Sequence, residues 1–441
     1  MKKISSLILA LALSLGLMAC SGKTEYYADP DTPAVSLADQ PGAGGAAALP
    51  GVPVEPAAVR DLMDGLTVET EGVDTENIEP GAAAVSGLAV LLLQNEMGKE
   101  NPLISPFSVA AALGMVMNGA EGETLAQMCA VLGAVPDELN GYFCVLGSDE
   151  HLHAANAIWY NESRADFTPD PDFLVKDLTY YNADARAVVF DAAGQAAINA
   201  WVAEKTDGMI DSIIEELDPH SVMVLANALS FEAEWEEPYF DYSIGDGTFT
   251  AASGDKRSVT MMYSRENAYI RDDGAQGFIK YYADSDYAFA VLLPDAEVGL
   301  DDYITCLNAG TLSRVLGDVQ WANVDAAMPK FTVDYSKELS ESLISLGMEL
   351  AFDPNLAEFD AMSIDDNDLY IEKVYHKTHI EVGEQGTRAG AATAVVMNDT
   401  CVAMAEGELI EITLDRPFLY MIIDCRTNTP IFIGAATDIG E

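Results

Sequence analysis

From Pro80 to Glu441 the chain is densely patterned in apolar and polar residues and offers no second linker, so about 360 residues must share one core. Two periodicities are interleaved in that stretch. Residues 83–94, ending near Gly98, and residues 108–118 have the apolar spacing of helices, and Ser105 and Pro106 form a start signal ahead of the second. Residues 198–206 and 337–346 read as further amphipathic helices. Strand-like runs fall at 154–160, 222–229, 287–293, 370–382, 409–414 and 418–424. Helices come first, and strands and helices then mix without a regular β–α–β alternation. The pattern predicts an α+β fold.

Composition excludes whole classes of function. The chain has 441 residues, 49% of them hydrophobic, so it can bury a sizeable core. With 72 Asp+Glu against 22 Lys+Arg its formal net charge is −50, which would repel a phosphate backbone, so no nucleic-acid partner is expected. There is no GxSxG elbow, no HExxH and no Walker A loop. His151 and His153 alternate and would share a face, but two surface histidines are the simpler reading than a metal pair. A dyad of Cys401 with His376 or His379 is compatible with the spacing, yet nothing marks Cys401 as activated. No cofactor or metal is expected.

The N-terminus reads as an address. Lys2 and Lys3 precede an apolar run over residues 4–17, too short and wrongly flanked for a membrane span, so residues 1–20 read as an export signal. Leu17, Met18, Ala19 and Cys20 resemble the lipobox of bacterial lipoproteins, which implies cleavage before Cys20 and lipid on its sulfur. An ordinary signal peptide with an incidental cysteine is the alternative. The stretch 21–79 is expected to tether a domain formed by 80–441; residues 21 to about 60 are rich in Ala, Gly, Pro and Asp, while 61–79 are ambiguous. The expected location is the bacterial cell envelope, periplasmic or at the cell surface, with a lipid anchor to the membrane and a monomeric domain. Removing Cys20 leaves Cys129, Cys144, Cys306, Cys401 and Cys425, an odd set without a CxxC pair, so neither a zinc site nor a disulfide scaffold is expected. One isolated disulfide stays open.

A series of segments then points to a family. NPLISPFS at 101–108, AAALGM at 110–115 and NGAEGET at 118–124 are followed by ANAIW at 155–159, INAWV at 198–202 and TDGMI at 206–210. VLANA at 224–228 with Phe231 and Trp235, MPKF at 328–331, VYHK at 374–377, EQGT at 384–387, RPF at 416–418 and PIFIG at 430–434 continue in order. Over about residues 80–440 the chain resembles the serpins. The resemblance implies three β-sheets with about eight or nine helices, an exposed reactive-centre loop near the C-terminus, and either a suicide-substrate protease inhibitor or a non-inhibitory relative.

The loop can also be read physically. To act by insertion it must become a central strand, which needs every backbone N–H, and residues 386–404 contain no proline. One face carries Thr387, Ala389, Ala391, Thr393 and Val395, all small or apolar, and the other carries Arg388, the lone charge before Asp399. Ala and Gly lose little side-chain entropy on burial, and Gly386 is expected to let the backbone turn. A flexible linker would have no reason for such alternation in a chain with 72 acids.

By resemblance, Glu384, Gly386, Thr387, Ala389, Ala391 and Ala392 belong to the hinge, and Trp235 and Glu384 to the breach where insertion begins. Ser105, Ser108, Asn227 and His376 match the polar shutter beneath the opening of the sheet, although a satisfied core histidine and a plain core tryptophan are equally consistent with the residues themselves. Family spacing places the reactive bond at Thr400–Cys401, with Cys401 or Val402 offered by a one- or two-residue slip. No Arg or Lys lies between Arg388 and Arg416, so the expected target is a serine-type protease with a small or elastase-like pocket rather than a trypsin-like one, with cysteine proteases a further class. The acidic residues Asp137, Glu138, Asp149 and Glu150 argue against activation by a polyanion.

Overall fold

The computed structural model describes residues 57–68, 75, 77–146, 151–164, 167–283, 286–365, 369–387 and 409–440. Helix α1 (Glu79–Asn95) starts earlier than the periodicity suggested because Pro80 is tolerated in a first turn. Helix α2 (Pro106–Met117) is buried on every side, and Ser105 caps it by accepting from the Ser108 amide. Helices α3 (Gly122–Leu132) and α4 (Pro136–Leu146) follow, then α5 (Pro171–Tyr181) and α6 (Ala192–Lys205), which Asp170 and Asp191 cap. Helices α7 (Leu300–Cys306), α8 (Ala309–Gly317) and α9 (Ser340–Ser345) make nine among the described residues. None of these is long and apolar enough to cross a membrane.

The strands are β1 (Arg60–Asp61), β2 (Leu103–Ile104), β3 (Leu152–Asn161), β4 (Asp184–Val188), β5 (Met223–Phe231), β6 (Ala233–Glu234), β7 (Ile244–Thr250), β8 (Lys256–Asp272) and β9 (Ala275–Tyr281). They continue with β10 (Tyr287–Pro294), β11 (Gln320–Pro329), β12 (Phe331–Glu338), β13 (Val374–Val382), β14 (Gly386–Thr387), β15 (Leu409–Thr413), β16 (Phe418–Asp424) and β17 (Thr429–Ala436). The fold is α+β. One ladder runs β1-β4-β3-β5-β13-β14-β6, with β12 on β13; the other runs β15-β11-β8-β9-β10-β16-β17-β2, with β7 on β8. The three expected sheets therefore emerge as two ladders. The 17-residue β8 joins two of them, pairing β7 through residues 256–262 and β9 through residues 268–272.

Three expectations are corrected. The helix expected over 337–346 is cut short: β12 runs to Glu338 because Phe331 and Val333 alternate into the core, and Glu338 then accepts from the Ser340 amide to start the short α9. The strand expected over 370–382 begins at Val374. The expected tether 21–79 ends sooner than residue 79. Residues 60–61 form β1, antiparallel to β4, the Ala57 amide donates to Ala193 O, and Met63 is buried. The exposed Arg60 and Asp61 pair by backbone alone with the open edge of β4, and Met63 behind them is buried.

The first ladder is covered on both faces. A large core lies between it, the second ladder and helices α1 and α2, while Trp159, Val188, Ile198, Trp201, Val202 and Ala226 form a second core under α6. Every residue of β5 is buried as a result. Such a strand shows a continuous apolar run rather than alternation.

Candidate functional site

The parallel seam between β5 and β13 organises the site. It is closed through five pairs, from Val374↔Leu225 to Thr378↔Leu229. Past Thr378 the two strands part: β5 goes on pairing with β3, and β13 with β12. In the opening sits β14, between Val382 of β13, opposite Thr387, and β6, whose Glu234 and Ala233 face Gly386 and Thr387.

Along β13 the side chains alternate. His376, Thr378, Ile380 and Val382 point inward and are buried, while Tyr375 and Lys377 reach the segment after α6, donating to Glu216 O and Ser212 O. His376 lies directly across the seam from Asn227. Its Nε2 accepts from the Ser105 amide at 3.1 Å, so the ring proton is on Nδ1. Burial lowers its pKa to about 3, and the ring is neutral at any ordinary pH. Ser105 Oγ donates to Ile431 O at 2.8 Å and accepts from the Ser108 amide. Asn227 Nδ2 donates to Asn156 Oδ1 at 2.6 Å, and Thr378 Oγ1 donates to Leu103 O at 2.9 Å. His376 Nδ1, Asn227 Oδ1 and Ser108 Oγ have no partner among the described residues. They are a complementary set of donor, acceptor and hydroxyl. The structure thus brings Ser105, Ser108, Asn227 and His376 into one buried cluster. It adds Asn156 and Thr378, which sequence reasoning passed over: Asn156 stood inside a recognised segment, but only strand register shows it facing Asn227.

At the open end, Trp235 is buried and its Nε1 donates to Gly383 O at 2.9 Å. The amides of Trp235 and Tyr239 donate to Gln385 O and Glu384 O at 2.8 and 2.9 Å. Three successive carbonyls are thereby held from one wall. The Glu384 carboxylate meets Lys330 Nζ at 2.9 and 3.1 Å, both side chains partly exposed. Partial desolvation opposes ionisation of Glu384, but Lys330 and a backbone amide outweigh it and hold the carboxyl below its ordinary range. Thr387 is buried, and its hydroxyl bonds that of Tyr282, whose ring stacks on Trp235 at 4.5 Å.

Gly386 serves differently than expected. Its backbone is in a strand, not among the glycines of positive φ, so no turn is made there. Glycine is needed because a Cβ would lie 2.1 Å from Ala233 O. Ala389, Ala391, Ala392, Thr400, Cys401 and Cys20 lie outside the described residues. His151, expected at the surface, is half-buried, its ring near Phe231 and Tyr287 and its Nδ1 3.2 Å from Glu232 O. Among the described residues Cys129, Cys144, Cys306 and Cys425 are unpaired, and no cluster of metal-ligating side chains is found.

The geometry is a sheet that closes at one end around a neutral polar cluster and opens at the other around the start of a further strand. Comparison with known proteins agrees with it. The family model described as Serpin (serine protease inhibitor) matches residues 86–439. Serpin B8 of Homo sapiens is 32% identical over 364 residues, covering 78% of this chain and 94% of its own. Leukocyte elastase inhibitor A of Mus musculus is 30% identical over 359 residues, covering 76% and 92%. Among solved structures, the thermophilic serpin tengpin in its native state is 38% identical, covers 87% of this chain and 100% of its own, and superposes with a TM-score of 0.78; in its latent state the TM-score is 0.70. The chain belongs to the serpin family of serine protease inhibitors.

Proposed function

We propose that this serpin is an irreversible inhibitor that traps a protease by inserting its cleaved loop between β5 and β13. The observation that carries the reading is the position of β14. Gly386 and Thr387 already lie between β13 and β6, at the mouth of a seam that is closed below them. A chain continuing from Thr387 down that seam needs free N–H groups and small side chains on one face, and residues 387–396 offer both. A protease attacks a carbonyl of the loop, its nucleophile forms an ester or thioester with the new acyl end, and the amine end leaves. Insertion then carries the acylated protease away before water cleaves the bond.

The reactive bond is assigned to Thr400–Cys401, and the target to a serine-type protease with a small or elastase-like pocket; cysteine proteases of similar pocket are a second class. The domain is displayed as a monomer on the bacterial envelope by lipid on Cys20, residues 21–56 acting as the spacer. The test is incubation of the purified domain with elastase-like and trypsin-like proteases. An SDS-stable complex with the first, a new N-terminus at Cys401, and a large rise in melting temperature after loop cleavage are expected. Cleavage with neither complex nor stabilisation would assign the chain to the non-inhibitory binding proteins of this fold. Cys401→Ala should leave inhibition intact, which a Cys401-dependent hydrolase would not allow.

A further inference from the structure

Behind the wall that holds residues 383–387 lies a buried charge. Lys280 of β9 is 3% exposed, and its Nζ is 3.0 Å from Oε1 of Glu266, an 11% exposed residue of β8. The same Oε1 accepts from Ser264 Oγ at 2.6 Å. The ammonium faces two rings, 4.6 Å from the centroid of Tyr239 and 5.7 Å from that of Trp235. These distances are those of cation–π contact, and desolvation strengthens such contacts. A lysine buried among β-strands would be excluded from this place if packing were all that mattered, because an apolar side chain of equal length fills the space without the cost of dehydrating two charges. What the ion pair adds is a fixed point: the carboxylate fixes the ammonium, and the ammonium fixes the faces of both rings.

Those two residues are the ones that grip the chain before the loop. Trp235 supplies Nε1 and its amide to Gly383 and Gln385, and Tyr239 supplies its amide to Glu384. Tyr282, whose ring stacks on Trp235, bonds the Thr387 hydroxyl. We propose that Lys280 and Glu266 are positioning residues that hold the Trp235–Tyr239 wall in register, so that Gly386 and Thr387 stay seated at the mouth of the seam. This rests on reading Gly386 and Thr387 as the hinge. With the wall loosened, Thr387 leaves its place, insertion after cleavage slows, and hydrolysis of the acyl-enzyme overtakes it.

Hydrogen exchange of the full chain tests the idea without a protease. Lys280→Met should raise exchange of the amides in residues 383–387 by roughly tenfold or more while leaving those of the β5–β13 seam unchanged, because the opening is local. Lys280→Arg should restore most of the protection, since it keeps the charge and the cation–π contact. Against a protease that the wild type traps, Lys280→Met should consume several-fold more inhibitor per protease, with loop cleavage itself no slower. Glu266→Gln paired with Lys280→Met removes both charges, and should show the same two effects even where the single variant fails to fold. Unchanged protection at 383–387 in the variants, or a uniform loss across the whole chain, overturns the proposal. A wild type that traps no protease refutes the inhibitory reading instead, and the exchange result still decides whether the pair holds the wall.

Discussion

The two ends of the β5–β13 seam are held by different physics. At the closed end the inward groups are neutral: His376, Asn227, Ser105 and Thr378 bond one another's backbone or further amides and carbonyls, and all are buried. At the open end an aromatic wall backed by a buried ion pair holds three carbonyls, and a partly exposed pair, Glu384–Lys330, flanks them. A buried neutral network is indifferent to salt and intolerant of an added charge. A partly exposed pair is weak, screened, and able to part. At the open end, therefore, the one contact that salt or acid can loosen is the Glu384–Lys330 pair, while the wall behind it stays buried.

The comparison can be broken in four places. Trp235→Ala should have the largest effect, about 3–5 kcal/mol, because a buried indole and its bond to Gly383 are lost together. Chemical denaturation measures it, and a loss below about 1 kcal/mol would mean the wall bears little of the open end. Acid comes next and should strike the closed end. His376 has a folded pKa near 3, below its value in the unfolded chain. The unfolded state therefore binds the proton first, and the stability is complete above about pH 6.5 and lost as pH falls from there towards 3. The loss is on the order of a few kcal/mol and should be smaller by the His376 share in His376→Asn, whose acid limb then reflects carboxylates such as Glu384 alone; an acid limb of undiminished size in the variant would assign the whole of it to other groups.

Gly386→Ala should cost about 1–3 kcal/mol, since the Cβ must displace Ala233 O or expel β14. Expulsion would also abolish the protection of the Thr387 amide while leaving the seam from Val374 to Thr378 intact, and equal loss at both would show that the two ends are not separable. The smallest effect belongs to Glu384→Gln, about 0.2–1 kcal/mol and fading in high salt. The folded pKa of Glu384 is lowered, so this contribution is present above the unfolded carboxylate range and disappears as pH falls through the folded value. A salt-insensitive difference between wild type and variant would place the stabilisation in packing instead.

Much of this was legible before any coordinates. Helices α1 and α2 declared themselves by apolar content and a Ser105–Pro106 start, and β16 by a run whose bounds match the expected 418–424. Strands β7, β8 and β12 did not. Their outer faces carry Asp246, Lys256, Arg265, Thr332 and Asp334, which a single-sequence reading takes for loop. The pair Lys280–Glu266 was invisible for another reason. Fourteen residues apart on neighbouring strands, they meet through β8–β9 pairing, and a lone lysine in an apolar run is not by itself a signal.

The chemistry of the loop was a local property of the chain. Absence of proline, small residues on alternate positions and exclusion of charge over 389–398 are written in the order of residues and are legible without any knowledge of what surrounds them. The positions of Ser105, Ser108, Asn227 and His376 could likewise be named from their motifs. Whether they touch could not. Ser105 and His376 are separated by 271 residues, and only the closing of β13 on β5 brings the imidazole to the start of α2. The same holds for Gly386, whose need for a missing side chain comes from the Ala233 carbonyl beside it rather than from any turn of its own. Local rules decide what a segment is able to become; contacts between distant segments decide what it meets, since they depend on register and packing that no stretch of sequence contains alone.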